Sequence, residues 1–227
     1  MIKIRGLIND DRKIIKKIAI RLRKEFEKES TGHDWFHIER VWKMAKRIAK
    51  KERKQINILV LELAALLHDE LDFKFVSGHQ RKKENMLINE LRCFYIPEKE
   101  IKQILFIVKN VSFKGAGVRD NMKFFEGKIV QDADRLDALG AIGIARAFAY
   151  GGHIDQPIYN PDVPPIKHVD FADYRSNRTT TINHFYEKLL LIPARLHTQT
   201  AKKLAEKRLN FINIFLVQFY KEWRKQN

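Results

Sequence analysis

The chain has 227 residues, of which 44% are hydrophobic, and it carries a net charge of +16 and a single cysteine, Cys93. One cysteine excludes a disulfide framework, and the charged N-terminal residues lack the apolar run of a secretory signal or membrane span, so we expect a cytoplasmic protein without membrane contact. The positive charge attracts anionic partners, but it is spread over the polar sides of predicted helices, which favours solvated faces over a nucleic-acid surface.

Helical periodicity dominates the first third of the sequence. A helix is predicted over residues 11–29, and the Ser-Thr-Gly turn that follows breaks it. Asp34 is suited to cap the next helix, which is predicted to run to about residue 52 with one apolar stripe. Residues 58–70 are apolar nearly all round, with Glu62 as the only charge before His68, and such a helix is normally buried at the centre of a fold.

The rest of the chain continues in the same pattern. Further helices are predicted over residues 79–93, 98–110, 179–191 and 197–225. Residues 128–149 are rich in Ala and Gly, which suits close backbone approach in a crowded core. Residues 151–177 hold four of the six prolines and two adjacent glycines, which predicts a long loop or lid. The pattern predicts an all-α fold in one domain over residues 1–227, with its core at about 30–150 and C-terminal helices at 178–225.

Three chemically unusual side chains stand on or beside apolar helices. His37 lies on the stripe of its helix, although a lone inward histidine is more often a satisfied core residue than a ligand. His68 and Asp69 are harder to explain in this way, since they end a helix that is otherwise nearly free of polar groups. A buried carboxylate is costly unless it is paired or bound to a metal ion. The pair therefore indicates a partner, ionic or metallic.

A second acidic concentration follows later in the chain. Asp132, Asp134 and Asp137 precede a strongly apolar stretch, which predicts that they begin a core helix. Acids in a first turn complement the helix dipole, but three within six residues exceed that need, and Arg135 can pair with only one or two of them. A metal ion that collects carboxylates from this helix and the earlier His-Asp pair would satisfy these groups together.

Four motifs carry a resemblance to a known family. They read HDWFHIERVW at 33–42, HDELDFK at 68–74, IVQDADRLDALGAIGIAR at 129–146 and HFYEKLLLI at 184–192. In this order and approximate spacing they resemble the HD-domain metal-dependent phosphohydrolases, and most closely the small single-domain bacterial branch of that superfamily. The resemblance covers roughly residues 30 to 215. It implies a compact multi-helix all-α bundle with a divalent metal ion.

The resemblance also implies a ligand set. The metal ligands it assigns are His37, His68, Asp69 and Asp134. His37 is preferred over His33 because the first ligand of the family precedes a valine by four positions. Asp134 is preferred over Asp132 and Asp137 because the ligand aspartate of the family directly precedes an Arg-Leu pair.

Further roles follow from the same motifs. Asp69 and Asp72 are interpreted as catalytic, with Asp72 as general base or positioner of the attacking water, although a plain ion pair between Asp72 and Lys74 explains it equally well. His33, Lys74 and Lys188 are candidates for contacting substrate phosphates. The residues interpreted as supporting the ligands are Asp34, Asp132 and Arg135, the last of which would brace Asp69 or Asp132.

The implied donor set indicates the kind of ion. Two imidazoles and two carboxylates leave open positions on a six-coordinate ion, which suits Mn²⁺, the favoured ion, or Mg²⁺, Fe²⁺, Co²⁺ or Ni²⁺ better than a closed zinc site. Open positions can take a water molecule, whose pKa falls on coordination, and a phosphate oxygen. We expect one ion, because Val111 stands where related proteins often carry a histidine and only His79 is available for a second metal.

Three functions are compatible with these features. The favoured one is a metal-dependent phosphohydrolase that acts on a small nucleotide, either cleaving a (d)NTP to the (d)NMP and pyrophosphate or releasing phosphate from a monophosphate. The second is a phosphodiesterase acting on a cyclic nucleotide or an oligonucleotide. The third is a non-catalytic basic helical protein that binds nucleic acid, a possible but disfavoured partner. The sequence leaves monomer and homodimer open.

Overall fold

The structure, a computed structural model, describes residues 9–71, 80–113, 118–166 and 179–224. Within these ranges every regular element is a helix, and the predicted all-α fold is confirmed. The α-helices are α1 (Asn9–Glu25), α2 (Trp35–Ala49), α3 (Ile58–Leu67), α4 (Gln80–Cys93), α5 (Glu98–Asn110), α6 (Phe125–Asp137), α7 (Gly140–His153), α8 (Thr181–Glu187) and α9 (Gln199–Trp223), with a 3₁₀ helix (Leu189–Arg195) between the last two.

The chain divides into two compact units. The first comprises Met1–Phe113 and Asp120–Ala133, and the second comprises Lys114–Arg119 and Asp134–Asn227. The prediction of one domain over the whole chain stays a prediction. Among the helices of the described residues, none combines the length and the apolar run that a membrane span requires.

The first unit is built around α3. All residues of this helix from Leu59 to Leu67 are buried, and α3 packs against α1, α2 and α5, while α4 packs against α5. Asn57 caps α3, since its side chain accepts a hydrogen bond from the backbone N–H of Val60. Full burial of a Leu or Val side chain stabilises a fold by about 1.5–3 kcal/mol. The apolar sequence of α3 therefore makes it the centre of this unit, as predicted.

The second unit is organised by α9, which packs against α7 and the 3₁₀ helix, while α8 packs against α7 and the 3₁₀ helix. Aromatic rings fill the space between these helices. Phe185 of α8 is fully buried and stacks on Phe215 of α9 with ring centroids 5.6 Å apart, and Phe148 of α7 contacts both rings. Such pairs add about 0.5–1.5 kcal/mol each to the effect of burial.

Two predicted boundaries are wrong. The helix predicted to begin with Asp132, Asp134 and Asp137 and to continue through residues 138–149 is two helices, because α6 ends at Asp137 and the chain turns at Gly140, whose φ of +75° is left-handed. Much of α7 is half-buried or exposed, so the prediction of a crowded core applies to α6 and only in part to α7. The predicted helix over 179–191 is also two elements, α8 and the 3₁₀ helix.

The predicted loop at 151–177 begins later than expected, since α7 continues to His153, and residues 167–178 lie outside the described part. The described part is bonded to both ends of α8. The carbonyl oxygen of Pro157 accepts from the N–H of Thr181 at 2.9 Å, and Glu187 accepts from the N–H of Ile166 at 2.9 Å. These bonds hold both ends of 157–166.

Candidate metal centre

The first side chain of the site is fixed by a helix cap. Asp34 is the N-cap of α2, and its Oδ1 accepts a hydrogen bond from the N–H of His37 at 2.8 Å. This bond satisfies one of the free N–H groups of the first turn and sets where the helix begins. His37 consequently lies in the first turn, with its side chain fully buried.

The second and third side chains follow the end of α3. His68 is the C-cap of that helix and is fully buried, and its Nδ1 lies 2.8 Å from the carbonyl oxygen of Ala65. Because a carbonyl oxygen only accepts, Nδ1 carries a proton, which leaves Nε2 to present a lone pair when the ring is neutral. Metal-binding histidines commonly have their tautomer fixed in this way.

The side chains of His37, His68 and Asp69 lie close together. The two Nε2 atoms are 3.1 Å apart, Asp69 Oδ1 lies 3.3 Å from His68 Nε2, and Asp69 Oδ2 lies 3.5 Å from His37 Nε2. Neighbouring ligands of an octahedral ion bound at about 2.1 Å lie about 3 Å apart. Two imidazole nitrogens and a carboxylate at these separations therefore fit one divalent ion.

His33 borders this cluster on its more accessible side. Its Nδ1 lies 3.3 Å from Asp69 Oδ2, its ring centroid is 5.4 Å from that of His37, and its side chain is 14% exposed. His33, His37 and Asp69 also satisfy the spacing of a metal-binding group. The structure thus brings His33 together with the predicted ligands.

Asp69 is held in its charged form. Burial by itself would raise the pKa of this carboxyl group, but the nearby His68 and the hydrogen bond from His33 outweigh burial, so its pKa lies well below the usual range. An ionised carboxylate in a buried cluster of imidazoles provides the negative charge that a cation requires.

The aspartates of α6 lie at the C-terminal end of their helix, whereas the sequence pattern predicts them at its start. Asp132, Asp134 and Asp137 lie in the last two turns of α6, because the helix starts seven residues earlier than Asp132, at Phe125. Negative charge near a helix C-terminus is opposed by the dipole. The explanation that these acids complement a first turn is therefore wrong. Asp137 pairs with Arg146 at 3.2 Å, and Asp134 as a metal ligand stays a prediction.

The supporting residues have mixed outcomes. Arg135 donates to the carbonyl oxygen of Arg195 at 2.5 Å and lies 3.2 Å from His197 Nε2, and no sequence motif predicts either contact. Its predicted contact with Asp69 or Asp132 stays a prediction. Lys188 follows α8 directly and is half-buried. The predicted residues that lie outside the described part of the chain are Asp72, Lys74 and His79.

One residue near the site was not identified from the sequence. Glu29 accepts hydrogen bonds from the backbone N–H groups of Thr31 and His33, each at 2.9 Å. An acid placed shortly before a Thr-Gly turn is the only local signal for this role, and exposed turns commonly carry the same pattern.

Known proteins resemble this chain over most of its length. A family model described as HD domain matches residues 35–139. The uncharacterized protein YpgQ of Bacillus subtilis is 34% identical over 195 residues, which is 86% of each chain. Its structure in complex with ADP has a TM-score of 0.71 at 33% identity, covering 92% of this chain and 97% of that one.

Two further solved structures are similar. A protein from Lactobacillus plantarum has a TM-score of 0.84 at 34% identity and covers 100% of both chains. A structure described as an HD-superfamily hydrolase from Bacillus thuringiensis has a TM-score of 0.69 at 39% identity, covering 95% of this chain and 100% of that one.

Proposed function

The chain belongs to the HD-domain family of metal-dependent hydrolases, and on that premise we propose that it hydrolyses a phosphate ester or anhydride of a small nucleotide. The observation that carries the proposal is the cluster of His37, His68 and Asp69, whose ligand atoms lie 3.1–3.5 Å apart. The complex of Bacillus subtilis YpgQ with ADP supports a nucleotide as the ligand.

The proposed ligands are the three clustered side chains and Asp134. Imidazole nitrogens and carboxylate oxygens in equal numbers favour a six-coordinate ion with open positions, and we propose Mn²⁺, with Mg²⁺, Fe²⁺, Co²⁺ and Ni²⁺ as the other suitable ions. When bound, such an ion polarises a phosphate group and makes a water molecule more acidic at neutral pH.

The protein's own side chains would position the substrate. His33 borders the cluster and is partly accessible, so it is suited to donate a hydrogen bond to a phosphate oxygen. Lys74 and Lys188 are proposed to neutralise further phosphate charge, and Asp72 is proposed to orient the attacking water. Phosphoryl transfer depends mainly on such positioning and charge neutralisation. Asp132 and Arg135 are proposed to support the ligands.

The favoured reaction is cleavage of a (d)NTP to the (d)NMP and pyrophosphate, with release of phosphate from a nucleoside monophosphate as the alternative. The test is a panel of ribo- and deoxyribonucleoside tri-, di- and monophosphates, cyclic dinucleotides and short RNA with Mn²⁺, in which phosphate and pyrophosphate are measured separately. Pyrophosphate from triphosphates is the expected product.

The test variant is His68→Ala. Its matched control is His153→Ala, which removes an exposed histidine at the end of α7. We expect His68→Ala to lower kcat/KM at least about a hundredfold, because a ligand of the ion is lost, and His153→Ala to leave it within about twofold. Absence of any product from the panel, or equal rates for His68→Ala and the wild type, would contradict the proposal.

A further inference from the structure

The turn between α1 and α2 is organised by one carboxylate. Both oxygens of Glu29 accept from the N–H of Thr31, at 2.9 and 3.0 Å, and Oε2 also accepts from the N–H of His33 at 2.9 Å. The hydroxyl of Thr31 donates to Oε1 as well. A half-buried carboxylate therefore receives bonds from two backbone N–H groups and one hydroxyl within five residues.

Gly32 makes this convergence possible. Its φ of +86° lies in the left-handed region that favours glycine, so the N–H groups on either side of it can point to the same side of the chain. Successive N–H groups arranged around a left-handed residue form a concave anion site. In this turn the anion is the side chain of Glu29 itself.

The turn fixes His33, which borders the cluster of His37, His68 and Asp69. The N–H of His33 is bound by Glu29, while the His33 ring lies 3.3 Å from Asp69 Oδ2. Since the backbone of His33 sets where its ring can reach, we propose that Glu29 is a positioning residue, which holds His33 at the place where it meets a substrate phosphate. This inference rests on the proposed role of His33 in nucleotide hydrolysis.

The flanking helices are secured by other bonds. The N–H of Phe26 bonds to the carbonyl oxygen of Leu22 at 2.9 Å, the N–H of Trp35 bonds to the carbonyl oxygen of Phe26 at 3.4 Å, and Asp34 caps α2. Loss of the Glu29 carboxylate therefore loosens the turn at 29–33 and leaves the helices in place. A positioning role predicts a change in KM without a comparable loss of stability.

The test compares Glu29→Gln with Glu27→Gln, a matched change at an exposed acid two residues earlier. Glutamine at position 29 replaces one carboxylate oxygen by an amide NH₂ group, which cannot accept a hydrogen bond. Because a hydrogen bond to a charged acceptor is lost, we expect KM for the best nucleotide to rise about tenfold, with kcat within about twofold of the wild type. Glu27→Gln should leave both constants unchanged.

A double-mutant cycle with His33→Ala separates positioning from a general effect on the fold. If Glu29 acts through the His33 ring, Glu29→Gln has no further effect on KM once that ring is removed. A tenfold rise in KM in both backgrounds, or no rise in either, would overturn the proposal.

A second readout does not depend on activity. Long-range ¹H–¹⁵N NMR spectra of the metal-free protein report each imidazole ring, and the His33 signals are identified by their loss in His33→Ala. We expect Glu29→Gln to shift or broaden the His33 ring signals and to leave those of His153 unchanged. Unchanged His33 signals would refute the positioning role even in an active enzyme. If the wild type hydrolyses no nucleotide but the His33 signals move, the proposed function fails and the positioning of His33 stands.

Discussion

Glu62 is a buried acid in an otherwise apolar helix. It lies in the apolar helix α3 at 2% exposure, and its Oε2 accepts from Trp42 Nε1 at 2.7 Å and from Lys46 Nζ at 3.1 Å. The ammonium group of Lys46 also lies over the ring of Trp42, 5.0 Å from its centroid. A buried carboxylate is tolerated here because a cation and an indole N–H both compensate it.

Removal of the cation should therefore destabilise the protein more than removal of an exposed one. We expect Lys46→Met to lower the free energy of unfolding by about 2–3 kcal/mol, because Glu62 is left with a single donor. Lys43→Met is the matched control on the same helix, where Lys43 pairs with Glu39 at 66% and 32% side-chain exposure. That pair should contribute less than about 1 kcal/mol.

Denaturant unfolding of both variants, followed by circular dichroism, measures the difference. Equal losses of stability for the two lysine variants would show that burial of Glu62 does not govern the effect.

The site residues were partly predictable at this scale. His68 and Asp69 could be singled out because buried polar side chains on an apolar helix require partners, whereas His37 was selected through the resemblance to the family. The 3.1 Å approach of the two Nε2 atoms could not be predicted, since it depends on how α2 packs against α3. The tautomer of His68 could not be predicted either, because the carbonyl oxygen of Ala65 becomes its acceptor only after α3 has ended.

At the scale of elements, the junction of α6 and α7 depends on close backbone approach. A Cβ atom built on Gly143 would lie 2.1 Å from the carbonyl oxygen of Ala138, whereas one built on Gly152 of the same helix would have no heavy atom within 4 Å. The prediction of close approach from the Ala- and Gly-rich sequence thus holds at Gly143. Gly152 lies beyond the stretch 128–149 for which close approach was predicted.

These two glycines make a matched test. Gly143→Ala should lower the melting temperature, with a loss of about 1–3 kcal/mol, because the methyl group meets a backbone atom that cannot turn aside. Gly152→Ala should raise stability by about 0.4–1 kcal/mol, since alanine is the better helix former and has open space. Calorimetry of both variants measures the two signs. A stabilising Gly143→Ala would show that α7 does not approach residue 138 this closely.

Helix boundaries show what sequence patterns can and cannot supply. α5 begins at Glu98 and ends at Asn110 as predicted, because Pro97 directly precedes its first turn. The start of α6 was missed, since Gly127 is typical of a loop. A Cβ atom there would lie 2.1 Å from Met122 Sδ, so this glycine is present for packing inside a helix. Such packing depends on tertiary contacts and cannot be predicted from the local sequence.

At the scale of the whole molecule, the net charge is the feature that bears on nucleic-acid binding. A concentrated positive surface would favour such binding, whereas a dispersed one would not. The chain has 44 Lys and Arg against 28 Asp and Glu. Several cations of the described residues are paired with acids, among them Arg21, which contacts three glutamates, and Arg92, which contacts Glu98. A paired cation attracts phosphate weakly, so we expect the excess of positive charge to act as a diffuse field.

A diffuse field predicts weak DNA binding that no small group of residues controls. We expect a fluorescent 20-base-pair duplex to bind with a Kd no tighter than about 10⁻⁶ M at physiological salt, which is the range of non-specific binding. Two charge reversals are compared, one at Lys50 and Lys51, which follow α2, and one at Lys202 and Lys203 of α9; all four are exposed.

If the charge acts as a field, both double variants weaken DNA binding by the same factor, within about threefold, because each removes the same number of cations. If the protein carries a nucleic-acid surface, one pair dominates and the wild type binds at about 10⁻⁸ M or tighter. Anisotropy titrations at several salt concentrations separate these outcomes. The second result would support nucleic acid as a partner of the protein.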